Sequence, residues 1–223
     1  RGDLEEISEA FDEQTYLTLN TTGFGLNPDR ADSLRRAGVF ALGVSLDSLS
    51  RKEHDQLRGK KGAFDTALRA LSLAADAGLY PYVISVATRS FLEENGFMNF
   101  LKFASEVGAR EVHLLEPCAT GKLSGQEDVV LTSTEKDRIL KYQKEVACDE
   151  SLPILSSFLY LESAEAFGCG AGLTHLYIDG SGEVCPCNLV PLSFGNITHD
   201  SLEAILERMG RHFCQPRCTC VGQ

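Results

Sequence analysis

The feature that most constrains this chain is a repeated succession: a helix closed by glycine, then an apolar run too short for another helix. Leu4, Ile7 and Phe11 lie on one helical face, and YLTLN at 16–20 alternates as a strand before Gly23 and Gly25 interrupt it. A helix predicted over 28–37 then passes through Gly38 into VFALGVSL at 39–46, whose almost unbroken apolar character suits a strand covered on both faces. The pattern recurs with a helix over 63–77, Gly78 and YPYVISVAT at 80–88. It recurs again with a helix over 96–107, Gly108 and EVHLLEP at 111–117.

Strands that each arrive after a helix pair in parallel through crossovers, which predicts a doubly wound sheet or part of a barrel. Such sheets bind ligands at the carboxyl ends of their strands. Asn20, Thr21 and Thr22 stand at the first end, Ser45 and Asp47 at the second, Thr88 and Arg89 at the third, Glu116 and Cys118 at the fourth. Any one of these could simply cap the helix that follows; polar residues at four successive ends point to a site.

After Pro117 the texture changes. A polar loop spans 119–133, a helix is predicted over 134–147, and 152–167 mixes an extended piece with a helical one. THLYID and EVCPC flank a Gly-Ser-Gly turn as a hairpin, and a last helix is predicted over 201–209. This divides the chain into a partial (β/α) unit at 1–133, connecting helices at 134–168, and a Cys-rich β-hairpin plus helix module at 169–223.

The 223 residues include 21 Lys and Arg against 32 Asp and Glu, a formal charge of −11, with no basic stripe to attract a phosphate backbone. Nucleic acid is excluded as the expected partner. No apolar run reaches the roughly 20 residues that cross a bilayer, and RGDLEEISEAF lacks the layout of a signal peptide, so no membrane partner and a cytoplasmic location are expected.

A reducing compartment moves the eight cysteines away from disulfides and toward metal or redox roles. None precedes Cys118, and six fall at Cys169, Cys185, Cys187, Cys214, Cys218 and Cys220. Thiolates are the soft ligands of iron–sulfur clusters and of zinc, and a hairpin with a returning tail can gather them around one centre. The spacing lacks two close CxxC pairs, which weighs against a zinc ribbon; a non-catalytic zinc- or cluster-stabilised scaffold that binds a partner is the rival reading. The CxC pairs do not have the CxxC spacing of redox dithiols. Cys185, beside Pro186, serves as ligand or as packing. Cys118 and Cys148 are read as small buried hydrophobes, and the five histidines show no ligand spacing.

The strings RGDLEEI, LTLNTTG, GVSLDSLSRKEHDQLRGKKGAFDTAL, HLLEPCATGK and CGAGLTHLYIDGSGEVCPCN together resemble radical S-adenosylmethionine enzymes with a C-terminal auxiliary-cluster region of the SPASM or twitch type. The spacing of Cys169, Gly182 and Cys187, followed by Gly195-Asn196, matches that region. The resemblance implies an α/β fold with a partial parallel (β/α) barrel of the radical S-adenosylmethionine type. It implies an enzyme that cleaves S-adenosylmethionine and abstracts hydrogen from a peptide, protein or small-molecule substrate, fed by ferredoxin or flavodoxin. Thr21, Ser45, Asp47, Arg89 and Glu116 would line the cofactor site. The six clustered cysteines would compete to hold an auxiliary [4Fe–4S] cluster. Arg58 is a further candidate for the cofactor site, or else it fixes its loop through a local ion pair with Asp55. The CxxxCxxC triplet and GGEP motif of such enzymes do not occur, so the chain is expected to be an inactive fragment, and no catalytic residue is assigned.

Overall fold

A computed structural model describes residues 2–92, 96–163, 165–218 and 220. The chain divides into two units, residues 1–117 with 131–157, and residues 118–130 with 158–223.

In the first unit the elements run α1 (Leu4–Glu9), β1 (Leu17–Thr21), α2 (Pro28–Arg36), β2 (Val39–Ser45), α3 (Arg51–Leu57), α4 (Ala63–Asp76), β3 (Tyr80–Val86), α5 (Arg89–Leu92), α6 (Gly96–Glu106), β4 (Glu111–Leu115), α7 (Ser133–Val146) and β5 (Ile154–Ser157). The five strands form one parallel sheet in sequential order β1 to β5. The fold is thus α/β with the part-barrel repeat that the helix–glycine–strand rhythm predicts.

Two elements depart from the sequence reading. The extended piece within 152–167 is a strand of the main sheet, β5 on β4, so the sheet does not end at residue 133 and the segment 134–168 is more than connecting helices. Helix α3, read only as part of a motif, forms because the Ser50 side chain caps it by accepting the Glu53 N–H.

The core follows from spacing. Ala63, Phe64, Ala67, Ala70, Leu71 and Ala74 line one side of α4, which packs on β2 and β3, while α2 adds Ala31 and Leu34 against β2. Helix α7, closed at its start by a reciprocal Thr132–Glu135 capping box, places Ile139 and Val146 in the core and packs on β5.

The second unit has little regular structure. Two 3-10 turns, Gly121–Leu123 and Glu127–Val129, interrupt the predicted polar loop, and α8 (Phe158–Leu161) follows. The hairpin is β6 (Tyr177–Ile178) against β7 (Val184–Cys185), and α9 (Leu202–Gly210) closes the unit. Its core is small: Val184, Ile205, Met209 and Phe213, with Leu176 and Phe194 packed against them. Among the described residues no helix is long and apolar enough to cross a membrane.

Candidate functional site

The carboxyl end of β2 carries a network that explains the string HDQLRG. Buried His54, 1% exposed, accepts the Asp47 N–H on Nδ1 at 3.1 Å. Arg58 meets the Asp47 carboxylate at 2.6 Å, and the Val86 N–H at the end of β3 reaches the same carboxylate at 3.4 Å. Burial is the main influence on His54 and pushes its pKa below the ordinary imidazole value, so the ring stays neutral.

The expected Arg58–Asp55 ion pair is not how this loop is held. Arg58 pairs with Asp47, whereas Asp55 accepts the N–H groups of Gly62 (2.7 Å) and Phe64 (2.9 Å) at the start of α4. A carboxylate satisfies open N–H donors at a helix start better than it holds a surface guanidinium. These backbone hydrogen bonds hold the Asp55 carboxyl below its usual range.

The other predicted strand-end residues are engaged differently. Thr21 Oγ1 accepts the Gly23 N–H at 3.0 Å and shapes the turn after β1. Ser45 is half-buried at the end of β2. Arg89 meets Glu135 at 3.1 Å, and Glu116 lies 3.5 Å from Lys136. Arg58 Nε is buried and finds no acceptor among the described residues. A buried donor left open on a side chain that meets Asp47 suits a ligand that brings its own acceptor, as a carboxylate does.

Below the strand ends, one face of the sheet is polar. Tyr82 hydroxyl donates to Asn20 Oδ1 at 2.6 Å across Gly43; a Cβ on Gly43 would sit 2.6 Å from that oxygen and collide with the ring. His113 lies against the Tyr82 ring, 4.4 Å between centroids, and its Nε2 is 2.8 Å from Glu111 Oε1. The sequence reading missed this group, although a glycine inside an apolar strand marks a close approach.

In the second unit, backbone ties gather the cysteine segments. Cys169 and Arg217 exchange N–H···O bonds of 2.7 and 3.2 Å, and the Gly172 N–H donates to Pro186 at 3.0 Å. The segment of Cys169 is thereby joined to the neighbour of Cys218 and to the residue between Cys185 and Cys187. Gly182 holds φ +88 in the hairpin turn, where a Cβ would stand 2.9 Å from Asn196 Oδ1. That packing accounts for both the central glycine of the spacing and the Gly195-Asn196 pair.

Cys169 and Cys185 are buried, Cys187 is half-buried and accepts the Leu189 N–H on Sγ at 3.4 Å, and Cys220 is half-buried. Cys214 and Cys218 are exposed. Burial, then Asp179 and Glu183, raise the Cys185 thiol above its usual pKa. No three His, Cys, Asp or Glu side chains among the described residues are drawn together as a metal site. The fit to a thiolate-bound cluster is one of donor chemistry and chain path: soft ligands on three tied segments, with an N–H already directed at one sulfur. Cys118 is half-buried, and Cys148, expected to be buried, is exposed because it falls in the turn after α7.

Comparison with known proteins gives two family matches: the radical SAM superfamily over residues 2–94 and an iron–sulfur cluster-binding domain, SPASM, over residues 169–219. An AdoMet-dependent heme synthase of Nitratidesulfovibrio vulgaris is 25% identical over 97% of this chain and 65% of its own length. The antilisterial bacteriocin subtilosin biosynthesis protein AlbA of Bacillus subtilis is 30% identical over 74% of this chain and 36% of its own. The crystal structure of Streptococcus suis SuiB bound to precursor peptide SuiA superposes with a TM-score of 0.70 at 15% identity, covering 92% of this chain and 50% of that one. The chain therefore spans between about a third and two thirds of the length of these proteins.

Proposed function

We propose, from the premise that the chain belongs to the radical SAM superfamily and carries a SPASM-type iron–sulfur domain, that it serves an enzyme acting on a peptide. When bound, S-adenosylmethionine with a reduced [4Fe–4S] cluster would supply the radical chemistry that abstracts hydrogen from a substrate. This chain's own residues bind and orient. Ser45, Thr21 and Asp47 would line the cofactor site, with the open Arg58 Nε–H offered to a carboxylate; Arg89 and Glu116, held by Glu135 and Lys136, would complete its rim. Cys169, Cys185 and Cys187, with places taken from Cys214, Cys218 and Cys220, would hold the auxiliary cluster. The reading implies a ferredoxin- or flavodoxin-type electron donor and a reducing, cytoplasmic setting.

The observation that carries this reading is the pair of backbone ties joining Cys169 to Arg217 and Gly172 to Pro186, which gather soft ligands at the spacing of the iron–sulfur domain. Peptide chemistry is favoured by the relation to AlbA, a bacteriocin biosynthesis protein. A second reading, a tetrapyrrole substrate, is favoured by the heme synthase aligning over 97% of the chain.

The test uses the full-length polypeptide that contains this chain, reconstituted anaerobically with iron and sulfide, reduced, and given S-adenosylmethionine. Formation of 5′-deoxyadenosine, together with iron and acid-labile sulfide lost when Cys169 and Cys187 are replaced by serine, supports the proposal. A colourless protein with stoichiometric zinc and no 5′-deoxyadenosine would overturn it in favour of a metal-stabilised scaffold.

A further inference from the structure

Helix α7 carries a polar side chain on its apolar face. Ile139, Gln143 and Val146 are spaced four and three residues apart, which puts them on one side of the helix, and Ile139 and Val146 are buried. An amide set in such a row must satisfy both its donor and its acceptor. Gln143 does so on the backbone of β5: Nε2 donates to the Leu155 carbonyl at 2.7 Å, and Oε1 accepts the Ser157 N–H at 3.2 Å.

Those two backbone groups belong to the outer side of the strand. β5 is the last strand of the sheet, and its Ile154 N–H turns inward to the carbonyl of Arg110, just before β4. Backbone groups alternate from one side of a strand to the other, so those of Leu155 and Ser157 face away from β4. One residue of a further parallel strand would donate to the first and accept from the second, and the Gln143 amide makes the same pair of bonds. A tether from helix to strand needs only one of them. Proline stands at 153, the preceding residue on that side, and brings no N–H. Of the outward donors at 153, 155 and 157, the first is therefore missing and the third is taken.

We infer that the Gln143 side chain acts as a surrogate strand residue that closes this edge of the sheet against strand addition, and that the partner it keeps off is β5 of a second copy of this chain. An uncovered edge is a template for pairing, more so where apolar side chains flank it, and Ile154 is 62% exposed there. A second copy fits because Leu155 on two antiparallel copies of β5 can exchange both N–H···O bonds about a two-fold axis. The Gln143 side chain stands on the carbonyl that this exchange needs. Closure of the edge is independent of the chemistry proposed above, since all of these residues belong to the sheet unit.

The experiment measures self-association of the full-length polypeptide that contains this chain, by sedimentation equilibrium over a range of concentrations, beside two variants. Gln143→Asn keeps the amide but is one methylene too short to span both groups; Gln143→Met keeps the length and loses the hydrogen bonds. Each should self-associate about 25-fold more tightly than the parent, about fivefold for each of the two backbone groups released. Hydrogen exchange at the Leu155 amide should slow with rising concentration in both variants and not in the parent. Variants that sediment as the parent does overturn the inference, and so does a parent whose own Leu155 amide gains protection with concentration. Association in the methionine variant alone, or association that leaves Leu155 exchange unchanged, overturns it too, since either is adhesion of apolar surface rather than strand pairing. If Gln143→Met does not fold, the asparagine variant, which adds no apolar surface, decides the matter on the same two readings.

Discussion

The sheet unit and the cysteine-rich unit are held together by different means. The first buries long apolar faces of α2, α4 and α7 on parallel strands, and fixes its loops with capping carboxylates and a neutralised ion pair. The second has, among the described residues, a core cluster of four buried side chains with two more packed on it, two-residue strands, and single backbone bridges between loops. The lesson is that a small unit with so little apolar burial depends on a cross-link that the chain does not supply from its own packing. Under the function proposed above, thiolates on three tied segments would supply that cross-link once a cluster joins them.

The sharpest way to break this comparison is to remove the metal. Chelation of the iron-loaded full-length polypeptide should cut hydrogen-exchange protection at the amides of Gly172, Val184 and Arg217 by a hundredfold or more. A bound group stabilises its site by about 2.7 kcal/mol for each hundredfold excess over its dissociation constant. The amides of Val44, Val83 and Val112 should keep their protection. Equal loss in both units would show that they share one source of stability.

A smaller effect tests the sheet unit from its own side. Asp47→Ala removes the carboxylate that neutralises Arg58 and accepts the Val86 N–H. The expected cost is about 2 kcal/mol, at the modest end for a broken buried pair because Arg58 is 29% exposed to water. Denaturant unfolding should register it as a fall in midpoint without a change in slope. A variant within a few tenths of a kcal/mol of the parent would reduce the pair to a surface contact.

The same division governs what could be read from the sequence. The helix–glycine–strand repeat gives four strands and their helices to within two residues, because local periodicity and glycine at positive φ set them: Gly38, Gly78 and Gly108 all lie between +74° and +97°. The fifth strand was not legible as a sheet member, since four residues carry no periodicity of their own and gain strand identity only by pairing with β4. Strand-end residues were found by position, but their partners were not. Arg58 with Asp47 and Asn20 with Tyr82 are set by chain path, and local charge pairing pointed to Asp55 instead. In the cysteine unit, spacing marks the ligand class through Cys169, Gly182 and Cys187. The bridge from Cys169 to Arg217 spans the whole unit and leaves no local trace.

The smallest effect sharpens the comparison by pH. His54 is enclosed in the sheet unit, and its pKa is lowered, chiefly by burial. In the unfolded chain it titrates near 6.5, about the ordinary imidazole value. Between that value and its depressed folded pKa the unfolded state binds the extra proton, so its contribution to stability is complete above about pH 6.5 and is lost as pH falls. The slope has an upper bound of about 1.4 kcal/mol per pH unit. Melting points measured from pH 7.5 down to 5 should therefore fall more steeply for the parent than for His54→Asn, which keeps an acceptor for the Asp47 N–H but has no proton to gain. Parallel curves would mean that His54 takes up its proton without opening the fold. A steeper fall in the variant would mean that the nearby Asp47 carboxylate, which acts to raise this pKa, outweighs burial. Asp55 and Glu135 also titrate in this unit, but as carboxylates with lowered values they contribute loss at pH values below about 4, outside the window in which His54 is read.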